Sequence, residues 1–154
     1  MKRLHVHIGV EDLAGSVEFY TILFGEKPTV EKSDYAKWLL DDPRVNFVVS
    51  THGGNRIGID HLGIQVDSSD ELTEITARLE AADKGMFRQN QATCCYVVSD
   101  KAWVADPQGT PWETFYSYAD KTVYGDDTIV SADVPRLVEA SAENQSDSST
   151  CCRP

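Results

Sequence analysis

The chain has no basic patch. Its 154 residues carry 14 Lys+Arg against 25 Asp+Glu, a formal charge of -11, and no basic cluster interrupts the acidic excess. Nucleic acid and anionic membrane surfaces both require a positive footprint, so neither is expected as a partner. No apolar run approaches the length that crosses a bilayer, and MKRLHVHIGVEDL lacks the apolar stretch and small-residue cleavage site of a secretory leader. The expectation is a soluble, cytoplasmic protein. The hydrophobic share, 41%, is modest but adequate for one core. Cysteine is also scarce, yet its four copies fall in two adjacent pairs, Cys94-Cys95 and Cys151-Cys152. In a reducing compartment they are not expected to form a disulfide framework; metal, metalloid or redox chemistry fits better.

What is present reads twice. HVHIGVED (5–12) and HLGIQVDS (61–68) both alternate apolar residues with others, the pattern of a strand with one face packed under helices. Val6, Ile8 and Val10 form that face in the first copy, Leu62, Ile64 and Val66 in the second. His5, His7 and His61 therefore lie on the opposite face. A helix follows each strand. Asp12 caps the first, which carries Val17, Phe19, Tyr20, Leu23 and Phe24 to a stop at Gly25. Ser69 or Asp70 caps the second, which carries Leu72, Ile75 and Leu79 to Gly85. Three strand-like runs come after each helix: PTVEKS, AKWLLD and VNFVVS, then MFRQNQ, CYVVSDKAWVAD and WETFYSY. The fold class is α+β. Two βαβββ modules, 1–56 and 57–119, duplicate one plan with a seam at THGGNRIG, and residues 120–154 form a polar, weakly ordered tail with a short helix around PRLVEA.

If the modules curl together, their first strands are central and the faces away from the helices share a cavity. Glu113 lies in WETFY on the face opposite Trp112 and Thr114, and so points inward with His5 and His61. Two imidazoles and one carboxylate suit non-haem Fe(II), with Mn(II), Ni(II) and Zn(II) as competitors. The plainer alternative makes each a strand residue reaching water, but two histidines in register across a repeat favour ligation. His7 shares their face as an accessory or packed histidine, and His52, before Gly53-Gly54, reads as an exposed loop residue.

HVHIGVEDLAGSVEFY, IDHLGIQV and DPQGTPWETFY resemble the vicinal-oxygen-chelate superfamily, which includes glyoxalase I, bleomycin-resistance proteins and extradiol dioxygenases. The resemblance spans residues 1 to about 118 and implies a curled, barrel-like mixed sheet with metal ligands at His5, His61 and Glu113. Glyoxalase I has a further carboxylate in the strand that is VNFVV here. The nearest polar residue is Asn46, which leaves the isomerase pattern incomplete.

A neighbouring thiolate pair can wrap a soft centre such as trivalent arsenic or Cd(II). Strand alternation would instead send Cys94 and Cys95 to opposite faces, an objection that weakens if NQATCC is a loop; a strained vicinal disulfide is a third reading. NQATCCYVVSDKAWVADPQGTPWE resembles the organoarsenical carbon–arsenic lyases of the superfamily and their cadmium-induced relatives. That resemblance implies that Cys94 and Cys95 bind a methyl- or aryl-arsenite beside Fe(II), with O2 as co-substrate and arsenite released. Cys151-Cys152, His7 and Tyr96 are accessory candidates. A thiol-based cadmium or arsenite sequestering protein and a glyoxalase-type isomerase or transferase are the alternatives. A homodimer is left open.

Overall fold

The computed structural model describes residues 1–52, 57–122, 125 and 133–147. Strand β1 (Arg3–Gly9) leads to α1 (Leu13–Phe24), then to β2 (Val30–Glu31), β3 (Tyr35–Asp41) and β4 (Arg44–Ser50). The second half repeats this order as β5 (Gly58–Val66), α2 (Ser69–Ala81), β6 (Phe87–Cys94), β7 (Val97–Ala105) and β8 (Pro111–Asp120). A last helix, α3 (Val134–Asp147), follows. The strands form one eight-stranded mixed sheet in the order β2-β3-β4-β1-β5-β8-β7-β6, so each module contributes one contiguous half. β1 and β5 are central and antiparallel, and each pairs in parallel with the last strand of its own module.

Asp12 caps α1 by accepting from the Gly15 amide, and Gly25 ends it at φ 70, where a side chain would be strained. Leu13, Val17, Tyr20 and Phe24 line one face at helical spacing and pack with Val6 and Ile8 against Trp38, Leu40, Val45, Phe47 and Val49. Full burial of such a side chain contributes about 1.5–3 kcal/mol. Phe19 and Leu23, expected in that stripe, project away and are exposed, because their positions rotate off the face set by 13, 17, 20 and 24.

Two boundaries differ from the sequence expectation. α2 is capped by Ser68, whose hydroxyl accepts from the Glu71 amide, while the Glu71 carboxylate accepts from the Asp67 amide. This near-capping-box arrangement places the glutamate three residues after the cap and outcompetes Ser69 or Asp70. The helix stops at Ala81 rather than Gly85, with Asp83 already left-handed. The helix expected around PRLVEA is longer than its composition suggests. PRLVEA lies within the 14-residue α3, with Pro135 in the first turn, where a missing amide hydrogen costs nothing. α3 packs on β6 and β7, and Val134 is fully buried.

Val134→Asp is therefore expected to cost about 3 kcal/mol or more in urea unfolding, because it removes apolar burial and buries a carboxylate. A chain ending at residue 140 keeps Val134 and should stay within about 1 kcal/mol of the full chain. Equal stability of the Val134→Asp and native chains would refute this packing role.

Candidate metal centre and adjacent thiol pair

The concave face of the sheet is polar at its centre. His5, His7, His61, Lys101 and Glu113 are all at most 6% exposed, more buried than the apolar residues Val6 and Ile8 on the other face of β1. The antiparallel β1–β5 register sets His7 opposite His61 and His5 opposite Gly63, and the parallel β5–β8 register sets Gly63 beside Glu113. A Cβ added at Gly63 would lie 2.3 Å from the Glu113 carbonyl oxygen, so only glycine allows the strands this approach.

His5 Nδ1 donates to the Asn46 carbonyl at 3.0 Å, which leaves the Nε2 lone pair directed inward. His61 Nδ1 donates to Asp60 Oδ2 at 2.7 Å. The two Nε2 atoms are 3.3 Å apart, and Glu113 Oε2 lies 3.7 Å from His5 Nε2 and 3.6 Å from His61 Nε2. A point equidistant from these three atoms is about 2 Å from each, the bond length of a divalent ion such as zinc to imidazole nitrogen or carboxylate oxygen. The donor set fits a cation. His7 belongs to the same cluster, since the three imidazoles each bring one nitrogen within 4.8 Å of the others. Its Nε2 is hydrogen-bonded with the Ser50 hydroxyl at 2.8 Å.

The electrostatics match a site made for a positive ion. Burial and repulsion from His61 lower His5 to about 4, which keeps its imidazole neutral. Burial also works against charge on His61, but its bonds to Asp60 and Glu113 outweigh that and raise it to about 9. His61 Nε2 faces both His5 Nε2 and Glu113 Oε2, so all three groups converge on the point where a cation would bind. Glu113 is held well below the usual carboxylate range: burial opposes this, and the Lys101 ammonium, 2.7 Å from Oε1, overrides it.

Asp60 and Lys101 were not singled out in the sequence. The β1–β5 register shifts between His7 and Ile8, making Asp60 the extra residue of a bulge between Ile59 and His61. That bulge lets adjacent residues bond each other instead of alternating. For Lys101 a signal existed: in SDKAWVA it shares the inward register of Ser99 and Trp103.

The cysteines are at a hairpin tip, not in the loop the sequence allowed. β6 runs through Cys94, which pairs with Val97, so Cys95 and Tyr96 form a two-residue turn with φ of 57° and 66°. Hairpins usually place Asn-Gly in this doubly left-handed turn, and other residues there cost of order 1–3 kcal/mol each. The turn overrides strand alternation and brings the two thiols to 2.9 Å between sulfurs. Both thiols lie within electrostatic reach of Lys101 and of the buried Tyr35, which also senses Glu113. His52 is exposed, as expected, and pairs with Asp34. Cys151 and Cys152 lie outside the described residues.

Residues 2–114 match the Glyoxalase/Bleomycin resistance protein/Dioxygenase superfamily. The chain belongs to this family. It is 37% identical, over 99% of both chains, to a trivalent organoarsenical cleaving enzyme of Bacillus sp. (strain MD1). It is 33% identical to the cadmium-induced protein CadI of Mycobacterium bovis, over 81% of this chain and 82% of that one. Among solved structures, a variant of homoprotocatechuate 2,3-dioxygenase from Brevibacterium fuscum superposes with a TM-score of 0.58 at 18% identity, covering 78% of this chain and 33% of that one. This last likeness shows the shared fold. The superfamily reading, the curled mixed sheet and the kinship with organoarsenical-cleaving and cadmium-induced proteins all stand, and the histidine cluster can hold a metal ion. Among the described residues no helix is long and apolar enough to cross a membrane.

Asp60→Ala removes the acceptor that orients His61. Loss of such an outer partner is expected to weaken metal binding about 10–100-fold, measured by competition with a chromophoric chelator. An unchanged affinity would show that His61 is not a ligand or needs no such support.

Proposed function

We propose that the chain is an Fe(II)-dependent, O2-consuming carbon–arsenic lyase that converts a trivalent organoarsenical to inorganic arsenite. The observation that carries this reading is the placement of a two-histidine, one-carboxylate donor set and a vicinal thiol pair in one chain, with Lys101 coupled to both. The similarity to organoarsenical cleaving enzymes over the full chain supports it.

His5, His61 and Glu113 are the ligands. Glu113 is preferred to His7 as the third because Lys101 holds Oε1 and leaves Oε2 facing both imidazoles, whereas the His7 Nε2 is engaged by Ser50. When bound, Fe(II) supplies a redox-active Lewis acid with open coordination positions. Cys94 and Cys95 bind the substrate: an arsenical R–As(OH)2 exchanges its two hydroxyls for the two sulfurs and releases two waters. The Lys101 ammonium favours the thiolates that do this. Tyr35 stays a neutral phenol, since burial and the surrounding negative charge of the cysteines and Glu113 raise it well above its ordinary value. His7 supports the edge of the His61 ring at 4.8 Å between centroids.

The test is to load the protein anaerobically with Fe(II), add methylarsenite, then admit air and follow arsenite. Arsenite is expected only after air is admitted. Glu113→Ala should abolish it while leaving arsenical binding. In a chain carrying Cys151→Ser and Cys152→Ser, replacing Cys94 or Cys95 with Ser should keep iron binding and weaken methylarsenite binding roughly 10²–10⁴-fold through loss of the chelate. Full turnover by Glu113→Ala would sink the metal assignment. Tight arsenical binding with no arsenite in air would instead indicate a sequestering protein.

A further inference from the structure

The thiol-bearing turn is fastened to the far edge of the sheet. Tyr96, its second left-handed residue, donates its hydroxyl to Asp34 Oδ1 at 2.6 Å, across 62 positions of sequence. The other oxygen of that carboxylate accepts from His52 Nε2 at 2.5 Å, and the Asp34 carbonyl accepts from the Thr51 amide at 3.1 Å. Around this bond, the Lys32 ammonium lies 5.5 Å over the Tyr96 ring and Tyr35 packs edge-on to it at 5.6 Å. Both carboxylate oxygens of Asp34 are thus occupied and its backbone is anchored. The carboxylate is a fixed point on the first module that reaches the tip of a hairpin in the second.

A fixed point is needed there. Without glycine, a turn with positive φ at both central residues is held only when its surroundings hold it. If it relaxed to ordinary strand geometry, neighbouring side chains would point to opposite faces and the sulfurs would separate.

We propose that Asp34 is a positioning residue for the thiol pair. By holding the Tyr96 hydroxyl it keeps the Cys95-Tyr96 turn left-handed and both sulfurs on one side, preorganised to chelate a trivalent arsenical. The proposal rests on the reading of Cys94-Cys95 as the arsenical site. Preorganisation raises affinity by removing an ordering cost that binding would otherwise bear. Asp34 touches neither the arsenic nor the metal ligands, so its effect is confined to one of the two centres.

The test uses phenylarsine oxide as probe on the full chain with Cys151→Ser and Cys152→Ser, so that one thiol pair remains. Asp34→Ala and Tyr96→Phe should each weaken binding about tenfold, equivalent to about 1.4 kcal/mol. The double variant should be no weaker than Asp34→Ala alone, because both changes break the same bond. Asp34→Asn should recover most of the affinity, since its amide oxygen still accepts the hydroxyl. Fe(II) affinity should be unchanged throughout. If Cys94→Ser binds the probe as well as its parent, the thiol reading fails, whatever Asp34 does. If Cys94→Ser loses binding while Asp34→Ala and Tyr96→Phe keep it, or if their losses add, the positioning role is overturned. Tyr96→Phe removes a single oxygen, so the comparison survives even if Asp34→Ala folds poorly.

Discussion

The Glu113 carboxylate is the group on which the interior depends. It lies at the sheet centre, 4% exposed, where an isolated anion would be strongly disfavoured. Lys101 resolves this by binding one oxygen, and removing one member of such a buried pair costs about 3–5 kcal/mol. The same bond divides the carboxylate: one oxygen is committed to the ammonium and the other faces both imidazoles. Lys101 also stabilises negative charge on the nearby thiols. One buried ammonium therefore links the carboxylate and the thiol pair, fixing the first and favouring negative charge on the second.

Backbone pairing delivers these groups to one point with little help from loops. The antiparallel contact between β1 and β5 joins the modules and brings the strand-start histidines into a single layer. Parallel pairing of β8 to β5 then sets Glu113 beside Gly63. A side chain at residue 63 would separate β8 from β5 and move the carboxylate with it. The positions of His5, His61 and Glu113 are thereby fixed by hydrogen-bonded registers, and registers shift only in whole steps that would turn side chains to the wrong face.

Much of this was legible because duplication and alternation are local signals. The pattern in HVHIGV and HLGIQV gave both central strands and their inward faces, and a capping Asp12 with a terminating Gly25 gave the limits of α1. The inward register of Glu113 followed from WETFY in the same way. Two of the unread features depend on irregular backbone. The bulge at Asp60 leaves no composition signal, and a doubly left-handed turn made of Cys-Tyr contradicts the residue preferences by which such turns are recognised. The extent of α3 was missed because one buried residue, Val134, anchors it in a segment whose composition is polar.

The two modules share a plan but have diverged in chemistry. Each supplies a histidine from its first strand, yet the carboxylate, the ammonium and the described thiols all come from the second. In the first module the position opposite His5 is Asn46, whose carbonyl orients that ring and whose side-chain amide donates to Gln65 rather than offering an anion. The first module contributes orientation instead: Asn46 for His5, Ser50 for His7 and Asp34 for the thiol turn. Duplication supplied two equivalent scaffolds, and the polar groups that pair across them gather the buried charge and the described thiols in one half and their orienting partners in the other.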